Sequence, residues 1–343
     1  MKKLIAIALA AGLALICFTS CYTGGPVNKL PSVTVEGDLN TGLAIDGTVS
    51  GVSAADGENG KAKGTFNMAA VLVDESGVIV DCKLDVLQTE LPFTADGQLA
   101  FDGTLELPTK NELGDNYMMR DASPIGKEWY EQAEYLSKYV LGKTADEVAA
   151  MPVGEDGKST DADLLAGCTV TVSGYLSVIA EAARNATSRG AAAGDTLGLG
   201  VVCDTQSKSK PAADGANGKA QVDVTVMALT RNADGTITSA VTDTVQAPVE
   251  FTVAGEASEE KVALVTKYNL GDDYQMRDYS GIGKEWFEQA DALCAFMRGK
   301  TIDQLSGAVT DSYPSDADLK AGCTIHMDDF LGAAAKADAN AQA

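Results

Sequence analysis

An internal duplication constrains this chain more than any other feature. Residues Leu113–Thr144 and Leu270–Thr301 carry nearly the same phrase, and Trp129 and Trp286 occupy equivalent places 157 positions apart. A second matched pair of phrases follows them, DADLLAGCTV in the first copy and DADLKAGCTI in the second. Such a copy is too long for a solenoid repeat and has about the size of a small domain. We therefore expect two copies of one small folded unit.

The first residues predict an exported protein. Lys2 and Lys3 precede an unbroken run of apolar and small residues over positions 4–16, a pattern typical of a secretory signal and too short for an ordinary membrane span. The phrase Phe18-Thr19-Ser20-Cys21 then resembles a bacterial lipobox, which implies a lipidated Cys21 and an extracytoplasmic protein anchored in the cell membrane by lipid. An ordinary cleaved signal with an incidental cysteine is the alternative reading of residues 1–21.

Composition excludes several classes of function. The formal charge of −23 over 343 residues predicts a surface that repels nucleic acid and anionic headgroups, so we expect no nucleic-acid partner. The mature chain beyond Cys21 has an odd number of cysteines and therefore no complete disulfide framework. A single histidine, His326, and the absence of a CxxC phrase argue against a zinc site, and the aspartate spacing does not fit a calcium loop.

The order of patterns predicts the domain boundaries. Residues 22–46 lack periodicity and read as a tether, followed by a first unit over 47–190 and a second over 196–343, with a linker at 186–195. Each unit opens with β-branched runs around a turn that contains glycine, first within 64–86 and then within 222–242, which predicts a β-hairpin in both.

Helices follow each hairpin. Trp129, Ala133, Leu136 and Val140 form one apolar stripe that predicts an amphipathic helix ended by Gly142. The second copy repeats this stripe at Trp286, Ala290, Leu293 and Met297. Short helices near Thr144 and Thr301, a strand-like TVTV segment and closing helices over 176–185 and 330–339 complete the pattern. The predicted fold class is α+β, with two tandem homologous domains that are each an antiparallel sheet packed by helices.

The phrase Asp163-Leu164-Leu165-Ala166-Gly167-Cys168-Thr169 resembles the D-x-x-S-G-A-T signature of the FMN-binding domain family. Asp318-Leu319-Lys320-Ala321-Gly322-Cys323-Thr324 resembles it equally. The likeness extends to the flanks, since an amphipathic helix precedes the signature in that family and a short strand with a closing helix follows it. Tandem copies on a lipoprotein are also similar to the flavin-bearing surface lipoproteins of extracellular electron transfer.

The resemblance implies a cofactor and a set of site residues. A flavin transferase would join FMN to Thr169 and Thr324 through a phosphoester, and a membrane electron donor would supply the electrons. Gly167 and Gly322 would allow a left-handed or closely approached backbone at the turn. The second aspartates, Asp163 and Asp318, would orient the turn or assist the transferase. The flavin would perform the redox chemistry, so the protein is expected to be a carrier and not an enzyme.

Departures from the signature keep a second hypothesis open. Both copies have Ala166 or Ala321 where the family has serine or threonine, and Cys168 or Cys323 where it has alanine. The two threonines could therefore be ordinary strand residues and the two cysteines small buried residues. Trp129 and Trp286 could stack on a flavin, but their helix stripe favours core packing. The alternative function is a non-redox cell-surface binding or adhesion module on a degenerate FMN-binding fold.

Overall fold

The structure is a computed structural model that describes residues 30–341, apart from positions 32, 34, 104 and 214. The described residues form two large antiparallel sheets, each packed by helices, and one small two-stranded sheet, which confirms the predicted α+β class. The predicted signal peptide and lipobox, with Cys21, lie outside the described residues. Within the described part of the chain, no helix is both long and apolar enough to cross a membrane.

The first half of the chain forms three long strands, five helices and a short strand. In order these are β1 Asp38–Val52, β2 Gly60–Val73, β3 Ile79–Phe93, α1 Lys110–Leu113, α2 Trp129–Tyr139, α3 Ala145–Ala149, α4 Ala162–Leu165, α5 Ser173–Arg184 and β4 Thr187–Ala192. Two 3-10 turns, Gly114–Tyr117 and Arg120–Ala122, lie between α1 and α2.

The second half repeats this order with small additions. Its elements are β5 Thr196–Asp204, β6 Gly218–Arg231, β7 Ile237–Phe251, β8 Val262–Ala263, α6 Lys267–Leu270, α7 Trp286–Met297, α8 Ile302–Ser306, β9 Val309–Thr310, β10 Tyr313–Pro314, α9 Ala317–Gly322 and α10 Asp328–Asn340. A 3-10 turn at Gly271–Tyr274 follows α6.

Both faces of each sheet are buried. In β2, Phe66, Met68, Ala70 and Leu72 point to one face, whereas Ala69, Val71 and Val73 alternate with them and contact the helices. This explains why the centre of β2 reads as a continuous apolar run, which is typical of strands covered on both sides. Helices α2 and α5 cover the outer face of the first sheet, and α7 and α10 cover that of the second.

The two sheets pack face to face and share one inner core. Side chains of β1, β2 and β3 interleave there with those of β5, β6 and β7. At its centre, the rings of Phe93 and Phe251 stack with centroids 4.3 Å apart and an interplanar angle of 3°. The molecule therefore has four layers, helices, sheet, sheet and helices, and the inner layers come from both repeats.

Each repeat also sends an arm across the other sheet. After β7, the chain passes β1, where β8 pairs with Thr48 and Val49. After β3, the chain runs beside β5, and the amide of Leu105 donates to the hydroxyl of Thr205 over 3.0 Å. The crossed arms tie the halves together beyond the contacts of the sandwich.

Two predicted irregular segments are wrong in part. The predicted tether reaches residue 46, but β1 already begins at Asp38 because Leu39 and Leu43 enter the inner core. The predicted linker at 186–195 contains β4, which pairs antiparallel with β1 over residues 38–41. Small and polar residues explain why the sequence did not reveal β4, since a short strand at the edge of a sheet needs few large apolar side chains.

The predicted hairpins and amphipathic helices are present. The hairpin of β2 and β3 and the hairpin of β6 and β7 include the β-branched runs. Helix α2 begins at Trp129, where Glu128 and Glu131 form a capping box. The TVTV segment, in contrast, is not a strand. Residues 169–172 pass irregularly into α5, with one isolated bridge between Thr171 and Lys158.

Candidate functional site

The signature phrase of each repeat forms a short helix followed by a turn. Asp161 caps α4, and its carboxylate accepts hydrogen bonds from the amides of Asp163 and Leu164. Asp316 caps α9 in the same way. The first aspartate of each DAD phrase therefore orients the turn, whereas the predicted residues Asp163 and Asp318 expose their side chains in the first helical turn.

The predicted threonines occupy the same environment in both repeats. The amide and the hydroxyl of Thr169 both donate to Oε1 of Gln132, over 2.8 and 3.2 Å. The amide and the hydroxyl of Thr324 both donate to Oε1 of Gln289, over 2.9 and 3.1 Å. Both threonines are half-buried on an irregular segment, so the alternative reading as strand residues is wrong. A hydroxyl that donates in this way keeps its oxygen lone pairs available.

Each glutamine is fully buried and belongs to a larger network. Nε2 of Gln132 donates to the hydroxyl of Ser123 and to the carbonyl of Lys127, both over 3.1 Å. Nε2 of Gln289 makes the equivalent bonds to Ser280 and Lys284. The glutamine thereby joins the turn that carries the threonine to the loop that precedes the long helix. A buried amide with these partners fixes both segments at once.

The loop before each long helix is fastened by charged side chains. The carboxylate of Glu128 accepts from the amides of Met119 and Arg120, over 2.9 and 2.8 Å. The guanidinium of Arg120 then bridges Asp115 and Glu131. Glu285 and Arg277 make the same bonds in the second repeat. Because these ion pairs are largely exposed, we attribute the loop's shape mainly to the buried glutamate.

The glycines of the signature are required for close packing. A Cβ on Gly167 would lie 2.3 Å from the ring of Tyr135, and one on Gly322 would lie 2.7 Å from Cβ of Ala292. Neither glycine has a positive φ. Of the two predicted reasons for these glycines, close approach of the backbone is therefore the one that applies.

Each turn has a lysine beside a buried thiol. Burial raises the pKa of Cys168 and of Cys323 to about 11, although Lys127 and Lys284 act in the opposite direction. Nζ of Lys284 lies 3.9 Å from the position that a Cβ on Gly322 would take. The thiols are therefore protonated at neutral pH, as expected for small buried residues, and the lysines place positive charge near the cysteines that directly precede both threonines.

The tryptophans belong to the core. Trp129 and Trp286 are buried against the sheets, and Nε1 of Trp129 donates to the hydroxyl of Tyr175 over 3.1 Å. Lys110 lies over the ring of Trp129, and Lys267 over that of Trp286. These faces are already occupied, so the prediction of core packing is confirmed and stacking on a flavin is not available to them.

Larger cavities lie away from the threonines. Cavities of about 300, 280 and 190 Å³ are at the junction of the two repeats, and one of about 200 Å³ is beside α3 and α5. Neither Thr169 nor Thr324 lines any of these four cavities. Among the described residues, no group of three or more His, Cys, Asp or Glu side chains could hold a metal ion.

Sequence reasoning missed Gln132 and Gln289. Both stand at the same place in the phrases EWYEQA and EWFEQA, so a signal existed. A glutamine among charged residues on a helix is normally exposed, and only the packing of the loop over α2 and α7 buries these two.

Comparisons with known proteins leave the family open. The chain matches no protein-family model, and no solved structure matches it. It is 34% identical over 90 residues to chlorophenol reductase of Desulfitobacterium hafniense, a match that covers 23% of this chain and 28% of the reductase. The chain thus spans under a third of that relative.

Proposed function

We propose that this chain is an extracytoplasmic lipoprotein that carries electrons on FMN groups attached at Thr169 and Thr324. The observation that supports it best is the duplicated site. Two repeats that differ at many positions keep the same threonine, the same buried glutamine and the same serine in one hydrogen-bonded arrangement. A packing role alone does not require a hydroxyl at both places.

The turn around each threonine could accommodate the phosphate group of an attached FMN. In the transfer, Oγ1 of each threonine would attack the flavin-side phosphorus of a flavin dinucleotide. The phosphoanhydride bond of that donor would break and release a nucleoside monophosphate, and the hydroxyl proton would be lost. The bond of Oγ1 to the glutamine would therefore be lost as well. The amide of Thr169 would still donate to Gln132 and keep the turn in place. Lys127 and Lys284 would offset part of the phosphate charge. When bound, the flavin supplies the redox chemistry.

Access for a second enzyme is also compatible with this proposal. Thr169 and Thr324 are half-buried and lie outside regular secondary structure, and Ala166 and Ala321 next to them are exposed. A flavin transferase would approach from this side. A membrane electron donor would then reduce the attached flavins, and an external acceptor would oxidise them.

The partial relative is compatible with a redox role but does not establish it. That relative is a reductase by name, and the match covers only 28% of its length. A match of this extent says nothing about the substrate of this chain.

A non-redox surface module is the second candidate. It is favoured by the shared replacement of two signature residues, Ala166 with Cys168 and Ala321 with Cys323. Cavities at the junction of the repeats offer a binding place away from the threonines. A colourless protein that takes up no FMN would support this candidate.

The decisive experiment is production of the full chain together with a flavin transferase, followed by mass spectrometry of its peptides. We expect one FMN on Thr169 and one on Thr324. Thr169→Ala should remove one of the two, and Thr324→Ala the other. Thr169→Ser should retain the modification, because it keeps the hydroxyl.

Thr171→Ala is the matched control, since Thr171 is an exposed hydroxyl only two residues away. It should leave both modifications intact. A folded protein without added FMN at either threonine would rule out covalent flavin.

A further inference from the structure

The two threonine turns differ at one position of the long helix that packs against them. Tyr135 of α2 and Ala292 of α7 occupy equivalent places, 157 positions apart. The ring of Tyr135 lies directly against Gly167, whereas the methyl group of Ala292 faces Gly322. Gly167 is buried and Gly322 is half-buried. A tyrosine therefore covers the backbone of the first turn, and the backbone of the second turn is more open.

The covering tyrosine is held in place by polar and aromatic contacts. Its hydroxyl donates to the carbonyl of Asp163 over 3.1 Å. Its ring stacks on that of Tyr139, with centroids 6.4 Å apart, and the hydroxyl of Tyr139 donates to the carboxylate of Asp161 over 2.9 Å. Because both tyrosines are bonded to α4, the ring of Tyr135 is a fixed part of the first turn.

The lysine beside each turn responds to this difference. Nζ of Lys127 lies over the ring of Tyr135, 5.4 Å from its centroid, and the ring attracts the ammonium group there. Nζ of Lys284 instead lies 3.9 Å from the position that a Cβ on Gly322 would take. Within the described part of the chain, Lys284 forms no ion pair and lies over no aromatic ring. Its charge is therefore available to an anion at the second turn.

The threonines themselves are alike. Thr169 and Thr324 are both half-buried, and each donates through its amide and its hydroxyl to a buried glutamine. A difference in how readily they react must therefore come from the side chains around the turn. Tyr135 in place of an alanine changes both the access to the turn and the positive charge that is free to act there.

We propose that Thr324 accepts the flavin phosphate faster than Thr169 does, an inference that rests on the proposed function. At both sites Oγ1 forms a bond to the flavin-side phosphorus of a flavin dinucleotide, the phosphoanhydride bond breaks, the nucleoside monophosphate leaves and the hydroxyl proton passes to water. Negative charge at the phosphate must be stabilised during this step, and the free ammonium of Lys284 is placed to do so. When transferase is limiting, the first flavin is therefore carried by the second repeat.

The test follows both sites in one protein over time. The full chain is incubated with a flavin transferase and a flavin dinucleotide, and mass spectrometry quantifies FMN on the peptides of both turns. We expect Thr324 to be modified about twofold to fivefold faster than Thr169. Tyr135→Ala should raise the rate at Thr169 to that at Thr324, and Ala292→Tyr should lower the rate at Thr324 to that at Thr169. In each variant, the threonine of the other repeat reports whether the protein is folded.

Lysine variants separate charge from access. Lys284→Met keeps an unbranched side chain of similar length but removes the charge, so it should slow modification of Thr324 about twofold to fivefold. Lys127→Met should slow modification of Thr169 less, because the ring already holds that ammonium group. An equal effect of the two changes would mean that the ring does not withdraw Lys127 from the turn.

Tyrosine variants test the cover itself. Tyr135→Phe keeps the ring over Gly167 and loses only the bond to Asp163, so Thr169 should stay slow. Tyr130→Ala is the matched control, since Tyr130 is another half-buried tyrosine of α2 and lines the cavity of about 300 Å³ instead of the turn. It should leave both rates unchanged.

The outcomes distinguish this inference from the proposed function. Equal rates at the two threonines, or a faster rate at Thr169, overturn the inference and leave flavin attachment intact. A rate at Thr169 that does not respond to Tyr135→Ala also overturns it. A folded protein that gains FMN at neither threonine overturns both.

Discussion

At the scale of single residues, the molecule places polar groups inside its core in matched pairs. Gln132 and Gln289 hold the two threonine turns. Asp85 is buried beside the first turn of α1, and Asp243 is half-buried beside the first turn of α6. Each carboxylate accepts hydrogen bonds from backbone amides. Buried polar groups with complete hydrogen bonding specify which segments meet, even where they add little net stability.

The buried aspartates predict a pH dependence of stability. Burial raises the pKa of Asp85 to about 6, although hydrogen bonds from Thr109 and two amides oppose the change. Because the folded protein holds this proton more tightly than the unfolded chain, the stabilisation is complete below about pH 4 and is lost as the pH rises through about 6. The loss corresponds to about 2–3 kcal/mol.

Urea unfolding of the wild type and of Asp85→Asn between pH 4 and pH 8 tests this prediction. The free energy of unfolding of the wild type should fall relative to the variant over that range. Asp243→Asn should behave alike, since burial raises the pKa of Asp243 to about 6 as well. Parallel profiles for wild type and variant would contradict the assignment.

At the scale of elements, helices pack directly on the sheets because glycines in the strands have no side chain to hold the helix backbone away. A Cβ on Gly198 of β5 would lie 1.8 Å from the carbonyl oxygen of Ala337 in α10. A Cβ on Gly42 of β1 would lie 1.9 Å from that of Ala182 in α5. A glycine in a strand often marks such a close approach of backbones.

Gly198→Ala should therefore destabilise the protein by roughly 1–3 kcal/mol, because α10 must move away from β5. Its control is Gly307→Ala, at a helical φ of −71° with open surroundings. That change should stay within about 1 kcal/mol of the wild type. Denaturant midpoints measure the stability of both variants. Equal midpoints for the two would show that α10 does not pack closely on β5 at Gly198.

At the scale of the whole molecule, the repeats share an inner core, so we expect them to unfold as one cooperative unit. Phe93 and Phe251 contribute one ring each to its centre, and the arms after β3 and β7 cross between the sheets. A single repeat would expose the apolar inner face of its sheet to water.

Phe93→Ala should lower the stability of both repeats together, by about 3–5 kcal/mol. Calorimetry should show one transition at a lower temperature, and hydrogen exchange should accelerate in β2 and in β6 alike. Two separate transitions, of which only one moves, would mean that the repeats unfold independently.

Sequence patterns determined the local structure well. The apolar stripe from Trp129 to Val140 identified α2, and the β-branched runs identified the hairpins. The duplicated signature located the two turns that carry Thr169 and Thr324. These features depend on residue spacing within one segment, and spacing is fully visible in the chain.

Tertiary structure alone decided how the segments meet. Pairing of β4 with β1, burial of Gln132 and Gln289, and the shared core around Phe93 and Phe251 all depend on contacts between residues far apart in the chain. A small or polar side chain has no periodic signature of its own, so its burial follows only from what packs over it. Hence the sequence located the two turns that carry the threonines, and packing between distant segments set their geometry.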